Sequence, residues 1–345
     1  MKVLEIHART GDSTILIGED LGSVEKYIPG EKRVIITDAN VRRHHGNSFP
    51  DGEVIEIGTG EKIKNLGTVK EIYNKLIDLE VDRASFIVGI GGGIVCDIAG
   101  FVASTFLRGI RFGFVSTTLL SQVDASVGGK NGVNLHGYKN MVGVFNQPEF
   151  VICDMRLLET LPEREISCGL AEIVKHALIG DRDLYRYLDK HFRQALDLDP
   201  DVIEKLVYDS IAIKSSLVSR DEKEKGERRK LNFGHTFGHA IEKITGVSHG
   251  EAVSAGMVFA SELSKRRAYL QAEDVTRIET LLKKLKLPVR LRIDRERVLD
   301  ALRKDKKREG DSMNFVLLET IGQAFVEKIP IRELETAMSE VKNES

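Results

Sequence analysis

The sequence has few of the features that mark secreted, membrane-spanning or nucleic-acid-binding proteins. It contains three cysteines in 345 residues, an odd number without a CxxC motif, which argues against a disulfide framework and indicates a reducing compartment. Lysine and arginine (51) nearly balance aspartate and glutamate (53), so no global basic field indicates a nucleic-acid partner. No run approaches about 18 consecutive apolar residues, and the first residues lack the apolar core of a signal peptide. We therefore expect a soluble, cytoplasmic protein that binds neither a membrane nor nucleic acid.

The hydrophobic periodicity changes near Cys153. Before it, short β-branched runs such as RVIITD and SFIVGI alternate with helical patterns, which predicts βαβ units and a largely parallel sheet. After it, apolar residues recur at spacings of three and four, as in REISCGLAEIVKHALI, which predicts helices. A chain of 345 residues exceeds the size of one hydrophobic core. We predict an α/β, Rossmann-like nucleotide domain over residues 1–153 and an all-α metal-binding domain over residues 154–345.

Candidate metal ligands recur in three helical patterns of the second half, namely Glu172, His235, His239 and His249. Nitrogen and oxygen ligands from separate helices suit a catalytic divalent metal that keeps one coordination position open. His235 and His239 are four residues apart, which places both rings on one helical face and makes them candidate joint ligands. Such histidines also commonly pack or cap helices. The third histidine and the glutamate favour the metal site.

A glycine-rich turn follows the apolar run that ends at Ile90. The sequence GIGGGIVCD includes Gly91, Gly92 and Gly93 and leads into a predicted helix near Ile94. Glycines let backbone amides approach a pyrophosphate, and the helix N-terminus adds partial positive charge. The spacing departs from the GxGxxG fingerprint at Ile94. The pattern therefore predicts either a nucleotide site or a tight packing turn without a ligand.

Seven long sequence blocks identify a family. They are GGGIVCDIAGF, FLRGIRF, STTLLSQVDASVGGKNGVN, YKNMVGVFNQP, LETLPEREISCGLAEIVKH, LNFGHTFGHAIE and SHGEAVSAGM. From about Asp38 to Lys307 the chain resembles the dehydroquinate synthase family of sugar phosphate cyclases. The resemblance implies an NAD- and metal-dependent lyase of the shikimate pathway that converts 3-deoxy-D-arabino-heptulosonate 7-phosphate into 3-dehydroquinate and phosphate. The implied reaction has four steps in this order: transient oxidation by NAD, β-elimination of phosphate, reduction and intramolecular aldol closure.

The resemblance also assigns the metal ligands. It implies Glu172, His235 and His249 as the ligands of one divalent ion, either zinc or cobalt as its substitute. His239 then becomes a group that handles protons or contacts phosphate near the reacting centre. Three protein ligands leave an open position for the substrate.

Substrate contacts are implied in the same way, for a small sugar acid phosphate. Lysines hold carboxylate and phosphate groups as point charges, and an arginine offers a bidentate fork. The implied contacts are Asp124, Lys130, Asn140, Lys175, Lys214, Arg228, Asn232, His239, Lys306 and Lys307. Arg108 resembles an arginine that reaches the phosphate site of the neighbouring subunit, which implies a homodimer with composite active sites.

The NAD contacts that the resemblance implies lie mostly in the first half. Asp38 ends a predicted strand, where a carboxylate can accept hydrogen bonds from ribose hydroxyls. The other implied contacts are Asn40, Glu61, Lys64, Gly92, Gly93, Asp97, Thr117, Thr118, Leu120, Lys130, Lys139 and Thr160.

Other functions remain open. Aminodehydroquinate synthases have nearly the same pocket, whereas cyclases of carboxylate-free sugar phosphates differ near the GHTFGHA block, where Asn232 and His239 keep the dehydroquinate type. A metal-dependent polyol dehydrogenase of the glycerol dehydrogenase type would share the domain order but release NADH. A non-catalytic NAD-binding or scaffold protein is disfavoured by the complete set of metal ligands.

Overall fold

The chain forms two compact units in the computed structural model, which describes residues 1–29, 32–303 and 308–340. The first unit comprises Met1–Glu165 and Ile203–Lys223, and the second comprises Ile166–Val202 and Glu224–Ser345. The first unit therefore includes a segment from the second half of the chain. The domain boundary at residue 153 rests on a change of periodicity and stays a prediction.

Strands and helices alternate in the first half of the chain, and helices dominate the second half. The strands are β1 (Lys2–Ala8), β2 (Gly11–Ile17), β3 (Arg33–Asp38), β4 (Glu53–Ile57), β5 (Phe86–Gly91), β6 (Arg111–Ser116), β7 (Lys130–Leu135), β8 (Tyr138–Phe145), β9 (Phe150–Cys153), β10 (Arg308–Glu309), β11 (Ser312–Thr320) and β12 (Gln323–Pro330). The α-helices are α1 (Ala39–His45), α2 (Leu66–Asp78), α3 (Gly93–Thr105), α4 (Glu163–Gly180), α5 (Arg182–Lys190), α6 (Phe192–Leu196), α7 (Pro200–Arg220), α8 (His235–Thr245), α9 (His249–Arg266), α10 (Ala272–Lys284), α11 (Arg295–Arg303) and α12 (Ile331–Glu340).

A seven-stranded sheet forms the core of the first unit, in the order β1-β2-β9-β6-β5-β3-β4. The pair β1–β2 is antiparallel, and the other neighbouring pairs are parallel. Every residue of β5 is buried, as are Val34, Ile35 and Ile36 of β3. Continuous burial of β-branched residues is typical of parallel strands covered on both faces. The predicted parallel α/β sheet is confirmed.

The glycine-rich turn joins β5 to α3 at the carboxyl edge of this sheet. A Cβ atom at Gly93 would lie 2.9 Å from the Cβ of Ala125, and one at Gly92 would lie 3.0 Å from Thr118 Cγ2. Larger residues would push the turn away from its neighbours. Close packing alone therefore accounts for glycine at these two positions, whether or not a pyrophosphate also binds here.

The second unit is mainly helical, as predicted, and it also contains a small antiparallel sheet in the order β10-β11-β12. The helical patterns of the sequence did not predict this sheet. Its two long strands pair from Ser312 with Pro330 to Thr320 with Gln323 across a tight turn. Phe315 of β11 packs against Phe259 of α9, with 6.2 Å between ring centroids. The sheet thus supports the helix that begins at His249.

The three cysteines, Cys96, Cys153 and Cys168, are buried and form no disulfide with one another. Burial raises the pKa of the Cys96 and Cys153 thiols, which disfavours their reactive thiolate forms.

Within the described part of the chain, no helix has the length and apolar character needed to cross a bilayer.

Candidate active site

The second unit holds a buried carboxylate on α4. Glu172 and Lys175 are 0% and 1% exposed, and they lie three residues apart on one helical face. The Lys175 ammonium forms an ion pair with Oε2 of Glu172. A buried charge is tolerated only when it is paired, so this lysine compensates the carboxylate. The other carboxylate oxygen of Glu172, Oε1, faces two histidine rings.

Two histidines converge on Oε1 of Glu172. The Nε2 atom of His249 lies 3.0 Å from this oxygen, and the Nε2 atom of His235 lies 3.5 Å from it. One ligand atom from each of the three residues falls within 4.8 Å of the others. Zinc bonds to nitrogen and oxygen are near 2.0–2.2 Å, which separates neighbouring tetrahedral ligands by roughly 3.3–3.5 Å. The donor types and spacing therefore fit one divalent cation.

The second ring nitrogen of each histidine also has a neighbour. His235 Nδ1 lies 3.1 Å from the carbonyl oxygen of Phe233, and His249 Nδ1 lies 3.6 Å from Glu242 Oε2. Burial lowers the pKa of His249, but its interactions with Glu172 and Glu242 raise it more, to about 9. The imidazole is therefore charged at neutral pH in the metal-free protein. A metal must displace that proton before it binds.

Close helix crossings bring these residues together. A Cβ atom at Gly250 of α9 would lie 2.9 Å from the Cβ of Cys168 on α4. A Cβ atom at Gly238 of α8 would lie 2.9 Å from the carbonyl oxygen of Ala252 on α9. The absence of side chains at these crossings lets the three helix backbones approach. As a result, side chains that are far apart in sequence share one small space.

The start of α9 is fixed by a capping box. The Ser248 N–H donates to Glu251 Oε2 over 2.9 Å, and the Ser248 side chain caps the helix in return. The Ser248 hydroxyl also lies 3.1 Å from Cys168 Sγ on α4. Reciprocal capping of this kind sets where a helix begins. It therefore sets the position of His249, the first residue of α9.

His239 lies beside the two predicted ligands without joining their group. Its ring centroid is 5.2 Å from that of His235 and 6.0 Å from that of His249, and the residue is exposed. It belongs to a second possible ligand group with Glu242 and His249. The spacing of His235 and His239 made them candidate joint ligands, but no candidate metal group in the described part of the chain contains both of them.

Other predicted substrate contacts of the second unit lie in the turn before α8. Arg228 is 1% exposed within a short 3-10 helix, Glu227–Asn232. The Asn232 side-chain amide donates to Glu224 Oε1. Sequence reasoning missed Glu224, because the charged run around it has the composition of a solvated loop.

In the first unit, a lysine and an aspartate from distant segments form an ion pair. Lys214 of α7 pairs with the Asp124 carboxylate and also donates to the Asp124 carbonyl oxygen over 2.5 Å. Asp124 lies in a π-helical turn, Ser121–Ala125. Two predicted substrate contacts, 90 positions apart, are thus adjacent. Lys214 is 5% exposed, so the pair is largely shielded from solvent.

A second shielded ion pair joins two predicted NAD contacts near the glycine turn. The Lys64 ammonium pairs with Asp97 of α3, and the side chains are 8% and 15% exposed. Burial raises the pKa of Asp97, and Lys64 opposes this shift. Nearby, the Thr118 hydroxyl accepts from the Ser121 N–H over 3.1 Å, which is a local turn contact. The backbone N–H of Thr117 donates to the Gly91 carbonyl over 3.0 Å.

Four further predicted NAD contacts lie in the first unit, namely Asp38, Asn40, Leu120 and Thr160. Asp38 caps α1 by accepting from the N–H groups of Asn40 and Val41 over 2.8 and 3.0 Å. The Thr160 hydroxyl lies 3.1 Å from Nε2 of His45, a residue that sequence reasoning missed. Leu120, half-buried, directly precedes the π-helical turn.

The hairpin β7–β8 carries several predicted contacts on exposed positions. Lys130 begins β7, and Lys139 and Asn140 lie near the start of β8. Lys139 is 3.9 Å from Glu61, which also accepts a hydrogen bond of 2.7 Å from the Asn134 side chain. The hairpin is therefore attached to the Glu61 segment.

Arg108, Lys306 and Lys307 are the last three predicted substrate contacts. Arg108 lies in an exposed turn after α3, with a left-handed backbone φ of 69°. Lys306 and Lys307 lie outside the described residues.

Family models match most of the chain. A model of the 3-dehydroquinate synthase N-terminal domain matches residues 54–168, and one of the C-terminal domain matches residues 169–308. The chain is 42% identical to a 3-dehydroquinate synthase of Acetivibrio thermocellus over 329 residues, which cover 91% of each chain. It is 40% identical to one of Alkaliphilus metalliredigens over 329 residues, which cover 92% of each.

Solved structures agree with these matches. A 2-deoxy-scyllo-inosose synthase complexed with carbaglucose-6-phosphate, NAD+ and Co2+ has a TM-score of 0.88 at 28% identity, covering 99% of this chain and 100% of that one. A 2-epi-5-epi-valiolone synthase of Streptomyces hygroscopicus with NAD+ and Zn2+ bound also has a TM-score of 0.88, at 27% identity and 98% coverage of both chains. The fold and the site define a protein of the sugar phosphate cyclase class, which confirms the predicted fold class. Within that class, the chain belongs to the 3-dehydroquinate synthase family.

Proposed function

We propose that this chain catalyses the 3-dehydroquinate synthase reaction, the conversion of 3-deoxy-D-arabino-heptulosonate 7-phosphate into 3-dehydroquinate and phosphate. One observation carries the proposal, namely the convergence of His235 and His249 on one oxygen of Glu172 in a chain of this family. The reaction is a lyase step of aromatic amino acid biosynthesis. The buried lysine and arginine side chains described above suit an anionic substrate.

The cofactors follow from the family and from the donor set. We assign one divalent metal, zinc or cobalt, to Glu172, His235 and His249, and we assign NAD to the first unit. When bound, the metal would polarise a substrate hydroxyl, and NAD would take up a hydride and return it. The fit of nitrogen and oxygen donors around Glu172 Oε1 supports the metal assignment.

The chain's own side chains would hold the substrate and move protons. Lys175 holds one carboxylate oxygen of Glu172 through their ion pair, and the exposed His239 would exchange protons beside the ligands. The other assigned substrate contacts are Asp124, Lys130, Asn140, Lys214, Arg228, Asn232, Lys306 and Lys307. Fixed anion contacts of this kind raise the rate by restricting a flexible sugar acid to reactive conformers.

We assign the NAD contacts to the first unit, whose parallel sheet is of the kind that binds nucleotides beyond the carboxyl ends of its strands. The assigned contacts are Asp38, Asn40, Glu61, Lys64, Gly92, Gly93, Asp97, Thr117, Thr118, Leu120, Lys130, Lys139 and Thr160. The N-terminus of α3 contributes partial positive charge for the pyrophosphate.

The choice between the two closest substrates is open to a direct test. With NAD and zinc present, we expect the heptulosonate phosphate to yield equal amounts of phosphate and a product with the mass of 3-dehydroquinate. The matched control is the amino analogue that aminodehydroquinate synthases use, for which we expect a much lower kcat/KM. Turnover of the amino analogue alone would identify an aminodehydroquinate synthase instead.

We further propose a homodimer in which Arg108 reaches the phosphate site of the partner subunit. Arg108 is exposed on a turn with a left-handed backbone, so its side chain is accessible to a neighbouring subunit. Arg108→Ala should weaken substrate binding by about 1.5–3 kcal/mol, because one charge-assisted contact to phosphate is lost. Metal content should stay unchanged.

Mixed dimers give the sharper test of Arg108. In a heterodimer of Arg108→Ala with His235→Ala, one active site inherits both defects and the other inherits neither. Activity should therefore partly return after subunit exchange. If exchange is demonstrated and activity does not return, Arg108 does not serve the partner's site.

A further inference from the structure

Glu242 is a largely shielded carboxylate beside the metal ligands, and it has no role in the proposed reaction. It lies on α8, three residues after His239, and its side chain is 9% exposed. Its Oε2 atom is 3.6 Å from Nδ1 of His249, whose Nε2 atom is 3.0 Å from Glu172 Oε1. The His249 ring is therefore held between two carboxylates, one at each nitrogen.

The geometry matches the way proteins orient metal-binding imidazoles. Such a histidine usually donates its second ring N–H to a carboxylate or a backbone carbonyl, which fixes the tautomer and the ring plane. His235 follows this pattern, because its Nδ1 atom contacts the Phe233 carbonyl at 3.1 Å. Glu242 provides the corresponding neighbour for His249. In both residues Nε2 is then directed at Glu172.

His249 has the greater need of such a neighbour. Its side chain is 28% exposed, compared with 11% for His235, although each histidine is the first residue of its helix. A more exposed side chain keeps more rotamer freedom than one packed against its neighbours. Glu242, near the end of α8, removes part of that freedom.

We propose that Glu242 is a positioning residue that accepts the Nδ1 proton of His249 and aims its Nε2 atom at the metal. The separation of 3.6 Å is an ion-pair distance, and a shift of under about 1 Å would bring it to hydrogen-bond length. The carboxylate also increases the basicity of the imidazole and so strengthens its metal bond. The inference rests on the proposed metal site.

A competing arrangement makes Glu242 itself a ligand. His239, Glu242 and His249 also offer three atoms within 4.8 Å of one another. We favour the group with Glu172, because Glu172 and His235 are buried at 0% and 8% exposure, whereas His239 is exposed. A buried carboxylate that faces two ring nitrogens is better shielded from competing water.

Zinc affinity tests this assignment without an activity measurement. We expect Glu242→Ala to bind one zinc ion per chain with an affinity roughly 10–100-fold lower than the unchanged protein, measured by competition with a chromophoric chelator. Glu242→Gln should lose less, because its amide oxygen still accepts the N–H. The control Glu262→Gln, on the same helix as His249, should bind zinc normally.

Two further measurements separate positioning from general damage. The metal-free Glu242→Gln protein should unfold within a few degrees of the unchanged metal-free protein, because it loses only one partly exposed ion pair with His249. With Co2+ bound, its absorption spectrum should shift, because the geometry or basicity of one ligand has changed. A large fall in the unfolding temperature together with an unchanged Co2+ spectrum would assign a structural role to Glu242 and overturn the proposal.

Three other results would also decide whether Glu242 positions His249. Wild-type zinc affinity in Glu242→Ala overturns the proposal, while the proposed metal site survives. Complete loss of zinc in Glu242→Ala, with zinc retained in His235→Ala, makes Glu242 a ligand and overturns it as well. Failure of the unchanged protein to bind zinc or Co2+ contradicts the metal-dependent function itself, so the two failures are distinguishable.

Discussion

Replacing His235 with alanine is expected to remove the bound metal and to lower activity by at least about three orders of magnitude. His235 supplies one of only three protein ligands, and two ligands hold a divalent ion far more weakly. His249→Ala should behave in the same way. Metal content by elemental analysis, together with phosphate release, measures both effects in the same preparations.

The matched control is His239→Ala, on the same face of the same helix as His235. This variant should retain its metal and lose activity, because its ring lies beside the ligand group without belonging to it. An empty His239→Ala protein and a metal-filled His249→Ala protein would contradict the ligand assignment.

Replacing Lys175 with methionine is expected to have the largest effect on stability. The ammonium pairs with Glu172, and both side chains are 1% or less exposed, so its removal leaves the buried carboxylate with the His249 imidazole as its positive partner. Breaking a buried pair costs up to about 3–5 kcal/mol. In the metal-free protein, the unfolding temperature should fall by on the order of 10 °C. Added zinc should restore part of the loss, because the ion supplies positive charge at the same carboxylate.

A partly exposed pair with the same sequence spacing provides the control. Lys265 pairs with Glu262 three residues earlier on α9, and these side chains are 36% and 34% exposed. Surface pairs contribute about 0–1 kcal/mol, so Lys265→Met should change the unfolding temperature little. If Lys175→Met and Lys265→Met lower the unfolding temperature equally, burial does not increase the contribution of the Lys175–Glu172 pair to stability.

Much of the fold can be predicted from local patterns. Fully apolar runs such as that of β5 indicate buried parallel strands, and apolar spacing of three and four indicates the helices. The sheet β10-β11-β12 was missed, although Gly322 at a φ of 94° marks the turn of its hairpin. The residues of β11 from Phe315 to Leu318 form a continuous apolar run, and such a run does not distinguish a strand from a buried helix.

The candidate site is harder to predict, because its geometry depends on contacts between distant segments. Spacing alone pairs His235 with His239, whereas the helix crossings bring His249 to Glu172. Gly250 and Gly238 make those crossings possible, but the local sequence around each glycine does not indicate which helix it contacts. The family resemblance supplied the ligand set, but it did not indicate Glu242 or the contact between Lys214 and Asp124.

The turnover of NAD is the most direct test of the proposed reaction. With zinc, excess heptulosonate phosphate and one equivalent of NAD per chain, phosphate release is measured alongside absorbance of NADH. We expect many phosphates released per NAD and no net accumulation of NADH, because each hydride is returned within the same catalytic cycle. Release that stops at one phosphate per NAD, or NADH that accumulates in step with substrate loss, would contradict it.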